Sequence, residues 1–529
     1  MPSAVVWIPA GLTLILGLWG IRRQDAVWRD EAVTYDMAHR GLPDLWATLL
    51  HVDVVHGLYY ALMHGWFAVY DTTLGPALGD PAGPAIGLRL PSVAAMAAAA
   101  AGVALLGREL AGRRAGLCAG LVFALIPLVQ QYAQEGRSYA LVCALVVWAS
   151  YALLRAAARS APDRRASLGP RPGADPPRGA TGRTPRPRRA PWLVYAALTL
   201  TACLLHEFAA LALPAHGAAV VLARLPRRVR RSWALAAGGV LALLAPLAVF
   251  STSQSDQLSW LLWPDPRQLL TFAALAALGC LCARVPVPAR GPIGLRALAL
   301  PLLLLPTVLL LLLSDLEPAY VERYVLYYLA GFALVAGAAL ARLPRPSGTG
   351  DVTGSRPRWG LRLGSLVRQA KWPLAVVALL AALLPVDIHL RSPDSRVDDV
   401  TAVARAVRQL SEPGDGLLFA PSRRRIWAAT RPQDFRGLRD LALARGPVAS
   451  RTLYGTELSG DEIRARMLAS RRIVVAGDPA GQPLDTNDQE LAKRATLRSA
   501  FTPCETRTVR GARITVYARV GGPGGGGHC

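Results

Sequence analysis

Carboxylates are scarce in the parts of this chain that carry most of its positive charge. The 529 residues hold 59 Lys and Arg against 35 Asp and Glu, a net charge of +24. Five stretches, 108–114, 155–189, 224–231, 284–296 and 342–371, contain 28 of the cations and four acids, Glu109, Asp163, Asp175 and Asp351. These stretches account for the whole imbalance, so the remainder of the chain is balanced and no nucleic-acid partner is expected. All five fall on one side of a membrane if the N-terminus is cytoplasmic, as the positive-inside rule requires; Arg22 and Arg23, on the other side, are a small dissent that the five loops outweigh. Cysteine is also thin. Cys118, Cys143, Cys203, Cys280 and Cys282 fall in apolar runs and read as packing residues. Cys504 and Cys529 fall in a region placed outside, where a bridge between them and a free Cys529 both stay open. No internal repeat is present. No Lys or Arg precedes the first apolar run, and Leu18-Trp19-Gly20-Ile21 offers no small-x-small cleavage site, so residues 4–20 are expected to be a retained helix.

What the chain has in quantity is apolar blocks. It is 53% hydrophobic with a mean hydropathy of +0.31. Eleven blocks near bilayer length stand at 4–20, 90–107, 115–131, 138–155, 192–205, 207–223, 233–250, 269–283, 297–313, 325–341 and 373–390. The expected fold is a polytopic α-helical membrane protein with about 11 transmembrane helices over residues 1–390. Its first outer loop spans 21–89, where the short aromatic run 57–67 reads as a helix lying at the interface. Residues 156–191 and 342–372 read as basic cytoplasmic linkers, and the outer loop 251–268 carries Trp260 and Trp263 at the interface. From 391 to 520 helices alternate with strands: helices at 398–410, 460–470 and 487–499, and strands near 417–419, 472–476, 505–510 and 513–519. That pattern predicts a small extracytoplasmic α/β domain, followed by a Gly-rich tail at 521–529.

The chemistry-bearing residues gather at outer ends of spans. Trp28-Arg29-Asp30-Glu31-Ala32 follows the first helix, and paired carboxylates beside lipid are costly unless used or solvated. His56, Gln134, Glu135, Arg137, His206, Glu207, Glu322 and Arg323 share that edge. An interfacial Arg often snorkels and a His at a helix end is often only solvated. On one side together, however, they suit transfer from a lipid-linked phosphate. Arg grips phosphate oxygens with a planar fork, and an ionised Asp can take a hydroxyl proton.

The same stretches resemble the polyprenyl-phosphate-dependent GT-C glycosyltransferases of the family 39 type. These include the protein O-mannosyltransferases, the aminoarabinose transferases of lipid A and related actinobacterial proteins. The resemblance rests on Trp28-Arg29-Asp30-Glu31-Ala32, Asp53-Val54-Val55-His56-Gly57-Leu58-Tyr59-Tyr60 and Leu88-Arg89-Leu90-Pro91-Ser92. It continues through Tyr132-Ala133-Gln134-Glu135-Gly136-Arg137-Ser138-Tyr139-Ala140 and Glu322-Arg323-Tyr324, covering about the first 340 residues. Many relatives have Lys or a Pro pair where this chain has His56-Gly57. The resemblance implies a GT-C-like fold and inverting transfer of a sugar, mannose foremost, from a polyprenyl-phosphate donor to a protein or cell-envelope glycan acceptor. It casts Asp30 as the base and Glu31 as its supporting neighbour. Arg137 and Arg323 become donor-phosphate ligands, with His56, His206, Gln134, Glu135, Tyr139 and Tyr324 as further substrate contacts. No Asp-x-Asp cluster occurs at 132–137, so no metal ligand is assigned and a divalent metal stays open. The expected location is the plasma membrane, with the site and C-terminal domain extracytoplasmic. A transporter or flippase of lipid-linked sugars is the competing reading, and it would place polar groups nearer mid-bilayer.

Overall fold

The computed structural model describes residues 4–78, 84–160, 190–254, 264–315, 319–343, 378 and 381–520. The linker interior 161–189, the loop with Trp260 and Trp263, residues 344–377, the tail and Cys529 lie outside the described residues, as does half of the Cys504–Cys529 question. Helix dominates up to residue 390. In chain order the helices are α1 (Ala4–Leu18), α2 (Arg29–His39), α3 (Leu42–Leu49), α4 (Gly57–Tyr70), α5 (Leu74–Ala77) and α6 (Ala85–Ala111). There follow α7 (Arg113–Leu125), α8 (Pro127–Ala133), α9 (Tyr139–Ser160), α10 (Ala190–Leu205), α11 (Ala212–Leu222) and α12 (Arg227–Thr252). The bundle ends with α13 (Pro266–Cys282), α14 (Leu295–Ser314), α15 (Tyr328–Leu340) and α16 (Ala381–Leu390).

Among the described residues five helices are long and apolar enough to cross a membrane, α1 with its short extension, α6, α9, α12 and α14. The bent pair α7–α8 adds a sixth if it forms one span. The other five expected spans coincide with apolar helices of 10–17 residues. The 115–131 block thus differs from expectation, being bent by 65°. The cause is local: Ile126 precedes Pro127 and takes extended dihedrals (φ −67°, ψ 123°), because a following proline disfavours helix. Pro127 then opens α8, where its missing N–H costs nothing. The block at 207–223 also breaks, into a 3₁₀ turn at Glu207–Leu211 and then α11.

Small residues set the bundle's close contacts. A side chain at Gly337 on α15 would meet the Ala119 backbone of α7 at 2.3 Å, the close helix approach that membrane packing relies on. His216 ties three helices, accepting or donating to Ser150 Oγ (2.8 Å) and Tyr195 OH (3.1 Å).

The α/β domain follows α16. Its strands are β1 (Gly416–Ala420), β2 (Arg439–Asp440), β3 (Leu443–Arg445), β4 (Thr456–Glu457), β5 (Arg472–Gly477), β6 (Phe501–Val509) and β7 (Ala512–Arg519). Five form one sheet in the order β2-β1-β5-β7-β6, while β3 and β4 make a two-stranded ribbon. β1 runs parallel to β2 and β5, and β7 is antiparallel to both its neighbours. Alternation along β1 and β5 feeds two cores. Leu418, Ile473 and Val475 pack with Ile463, Met467 and Leu497. Leu417, Phe419, Val474 and Ala476 instead join Val403, Ala404 and Val407 of helix α17 (Val400–Leu410), in the same hydrophobic cluster as the bundle. Helices α18 (Pro447–Ser450), α19 (Gly460–Leu468) and α20 (Asp488–Ala500) complete the domain. The expected helices and main strands are all present; β2, β3 and β4 are two or three residues each and left no periodic signal.

The domain is tied to the bundle by residues 391–401. Arg391 donates to Trp19 O (3.0 Å), Leu16 O (2.8 Å) and Gln130 Oε1 (2.8 Å), closing the end of α1. Arg396 donates to Gln131 O (3.1 Å). The Val400 N–H donates to Val27 O (2.7 Å) and Thr401 Oγ1 to Asp25 O (2.8 Å).

Candidate active site

The site begins with α2. Its third residue, Glu31, is fully buried. Arg89 on α6 grips it with both ends of the guanidinium, Nε to Oε1 at 2.8 Å and Nη2 to Oε2 at 2.6 Å. The Gly136 N–H donates to Oε1 at 3.0 Å, and Arg23 Nη2 lies 3.5 Å away. Burial pushes this carboxyl up, but the charges of Arg89 and Arg23 and the hydrogen bonds outweigh it and hold the group at about 2. Arg89 also donates to Ile21 O (2.7 Å) and Ala26 O (2.5 Å). Glu31 therefore fixes α2, the start of α6 and the 134–137 loop in one register.

That loop is pinned further. Thr34 Oγ1 donates to Gly136 O (3.0 Å) and Ser92 Oγ to Glu135 O (2.6 Å). Gly136 is required, since a Cβ there would stand 2.9 Å from Leu88 Cβ. Pinning the loop brings Arg137 into the cluster. Its guanidinium donates to His56 Nε2 (3.0 Å), Tyr60 OH (3.2 Å) and Thr34 Oγ1 (3.4 Å). His56 meets Asp53 Oδ1 through Nδ1 at 2.6 Å, and Tyr60 OH also bonds Asp53. Since Arg137 can only donate, these partners assign the His56 proton to Nδ1.

Arg323 arrives from much later in the chain, in the 3₁₀ turn Glu322–Val325. Its Nε donates to Tyr139 OH (3.1 Å), and its guanidinium lies 5.5–5.9 Å from the ring centres of Tyr139, Tyr324 and Trp28. Asp30 Oδ2 sits 3.9 Å from Arg323 Nη2. Asp30 and Arg323 keep 25% and 18% of their side-chain surface exposed, so they form the cluster's open edge. His206 lies with its ring 4.4 Å from Tyr324 and 5.8 Å from both His56 and Tyr139. Burial lowers its pKa well below the usual histidine range, and the charges of Arg137 and Arg323 act in the same direction.

Seven of the residues singled out from sequence thus come together: Asp30, His56, Arg137, Tyr139, His206, Arg323 and Tyr324. Three point elsewhere. Glu31 faces the buried arginines. Gln134 donates to Gly17 O (2.8 Å) and Trp19 O (2.6 Å), tying its loop to the end of α1. Glu135 is buried with Oε2 3.6 Å from Arg396, and burial raises its pKa against the charges of Arg396 and Arg323.

Sequence reasoning quoted Arg89 and Tyr60 inside matched stretches without giving them roles at the site. The signal for Arg89 was available, a lone cation at the outer end of an apolar run. Asp398 had none. Its Oδ1 accepts the Arg29 N–H at 3.0 Å, across 369 residues of chain. It caps the first turn of α2 in place of a local side chain, since Trp28 supplies no oxygen there. Replacing Asp398 by Ala is expected to cost about 0.5–2 kcal/mol, the usual worth of a cap. Asn, which keeps an accepting oxygen, should recover most of it. Thermal unfolding of the purified variants in detergent checks this, and an Ala variant as stable as wild type would remove the cap.

No protein-family model and no curated protein matches the chain by sequence. Solved structures do match by shape. ArnT from Cupriavidus metallidurans in the apo state superposes with a TM-score of 0.52 at 12% identity, over 97% of each chain. ArnT bound to undecaprenyl phosphate gives 0.48, also at 12% identity, over 97% of this chain and 98% of that one. The mycobacterial arabinofuranosyltransferase AftD gives 0.44 at 17% identity, over 97% of this chain and 41% of that one. The chain therefore has the overall fold of ArnT, the GT-C type of membrane fold that the motif resemblance implied.

Proposed function

We propose that this chain is a membrane glycosyltransferase that moves a sugar from a polyprenyl-phosphate donor to an extracytoplasmic acceptor. The observation that carries this reading is the meeting of Asp30, Arg137 and Arg323, from three distant stretches, at one end of the bundle. In the proposed step Asp30 takes the proton of an acceptor hydroxyl. The hydroxyl oxygen bonds the anomeric carbon as that carbon's bond to the phosphate oxygen breaks, inverting the centre. The electron pair leaves with the polyprenyl phosphate, whose charge Arg323 and Arg137 stabilise. Among the described residues no three His, Cys, Asp or Glu side chains form a metal-ligand group, and no step is routed through a metal. Mannose as the sugar, a protein or cell-envelope glycan as the acceptor, and an outward-facing site in the plasma membrane follow the motif resemblance and the one-sided charge of the loops.

Purified protein, labelled polyprenyl-phosphate mannose and membrane extract test the reading: a labelled acceptor supports it, and label remaining wholly on the lipid contradicts it. Arg137→Ala and Arg323→Ala should each weaken donor use roughly ten- to hundredfold, the worth of a charge-assisted contact of about 1.5–3 kcal/mol. Lys should rescue only in part, because the fork is lost. Unchanged donor dependence in both Ala variants would show that these arginines serve only packing.

A further inference from the structure

A second cationic site lies at the far end of the bundle. From Arg89 to Ala111, α6 runs 22 residues, roughly 33 Å at 1.5 Å each. At its end an open cavity of about 650 Å³ is lined by Arg113, Arg114, Arg290 and Arg342, with Gly112, Ala115 and Ala338. The four arginines come from three separate places: the start of α7, the connection between α13 and α14, and the residues just past α15. Among the described residues no carboxylate lies within ion-pair distance of any of them; Glu109, the nearest acid in sequence, pairs with Arg108 at 3.1 Å. Gly112 shapes the wall. It has φ +103°, and the Arg290 Nη2 lies 3.0 Å from where a Cβ would stand, so the guanidinium can rest on the backbone. The thirteen-residue α7 starts here without a side-chain cap, which leaves the positive end of its dipole beside residues that line the cavity.

Four like charges held over one cavity repel each other unless an anion joins them. We infer that this cavity binds a phosphate group through Arg113, Arg114, Arg290 and Arg342. The positive-inside rule explains why cations gather at this face, but not why those from three segments turn onto one cavity. The group's place at a membrane face allows two sources, the headgroup of an anionic phospholipid or a soluble phosphate compound. This inference is independent of the proposed sugar transfer.

The full-length protein in detergent micelles doped with phosphatidylglycerol or phosphatidylcholine provides the test, with bound lipid read by native mass spectrometry. Inorganic pyrophosphate forms the soluble arm. Wild type is expected to retain phosphatidylglycerol over phosphatidylcholine, and the Arg114→Gln/Arg342→Gln double variant to retain about tenfold less of it. The Lys double variant, which keeps the charges, should fall between. Pyrophosphate binding that shows the same dependence on the variants, with no lipid preference, would assign the site to a soluble phosphate. Equal phosphatidylglycerol retention by wild type and the Gln double variant, with no pyrophosphate bound by either, would overturn the inference.

Discussion

Asp30→Asn is expected to lower sugar transfer by ~10²–10⁴-fold while donor binding changes little. Asn keeps the size of the side chain and its ability to bond a hydroxyl, but it cannot accept the acceptor's proton. The carboxylate stands at the open edge of the cluster, 3.9 Å from Arg323. The neighbouring acids are committed elsewhere: Glu31 to Arg89 and Arg23, and Asp53 to His56 and Tyr60. Asp36 is held by Arg40 at 2.7 Å. Turnover with saturating donor and acceptor, together with donor affinity, separates the base from a merely structural residue. A folded Asp30→Asn protein with wild-type turnover would remove Asp30 from the step.

The second large effect belongs to stability. Arg89→Ala should destabilise the folded chain by about 3–5 kcal/mol, because it strands the Glu31 carboxylate in a site with no exposed surface. Arg23, at 3.5 Å, is the only other cation within ion-pair distance of it among the described residues. Glu31→Gln should be milder, since it removes the charge that needs a partner, although Arg89 then keeps only carbonyl oxygens and an amide. The pair also sets a pH limit. The Glu31 carboxyl is held at about 2 in the folded chain, below the ~4.3 of an unfolded glutamate. Its contribution is therefore fully present above ~4.3 and is lost as pH falls through about 2. Unfolding temperature in detergent, followed down to that range, should show wild type losing stability as acid is added and Arg89→Ala starting already low. An Arg89→Ala protein as stable as wild type would refute the pairing.

The membrane character, the Asp-Glu stretch and most of the cluster were legible in the sequence because each has a local signature. Apolar runs, a charged dipeptide after a span and basic loops are all read within twenty residues. The Asp30-Glu31 pair was legible as a pair, but the direction each side chain faces was not. It depends on Arg89 arriving from α6, 58 residues on. Gln134 and Glu135 read as site residues from their motif, yet their loop turns so that only Arg137 enters the cluster. The union of the two halves left no trace in either. Asp398, Val400 and Thr401 grip residues 25–29, whereas composition marks 391 simply as the end of the bundle. The break at Ile126 was available from Pro127, but a continuous apolar run concealed it.

The most direct measurement places wild-type and Asp30→Asn protein in liposomes with labelled polyprenyl-phosphate sugar and an acceptor, and follows both transfer and movement of the lipid-linked sugar between leaflets. Sugar transferred by wild type and not by Asp30→Asn is the expected result. Wild-type protein that moves the lipid-linked sugar across the bilayer without transferring it would contradict the glycosyltransferase reading and leave the transporter in its place.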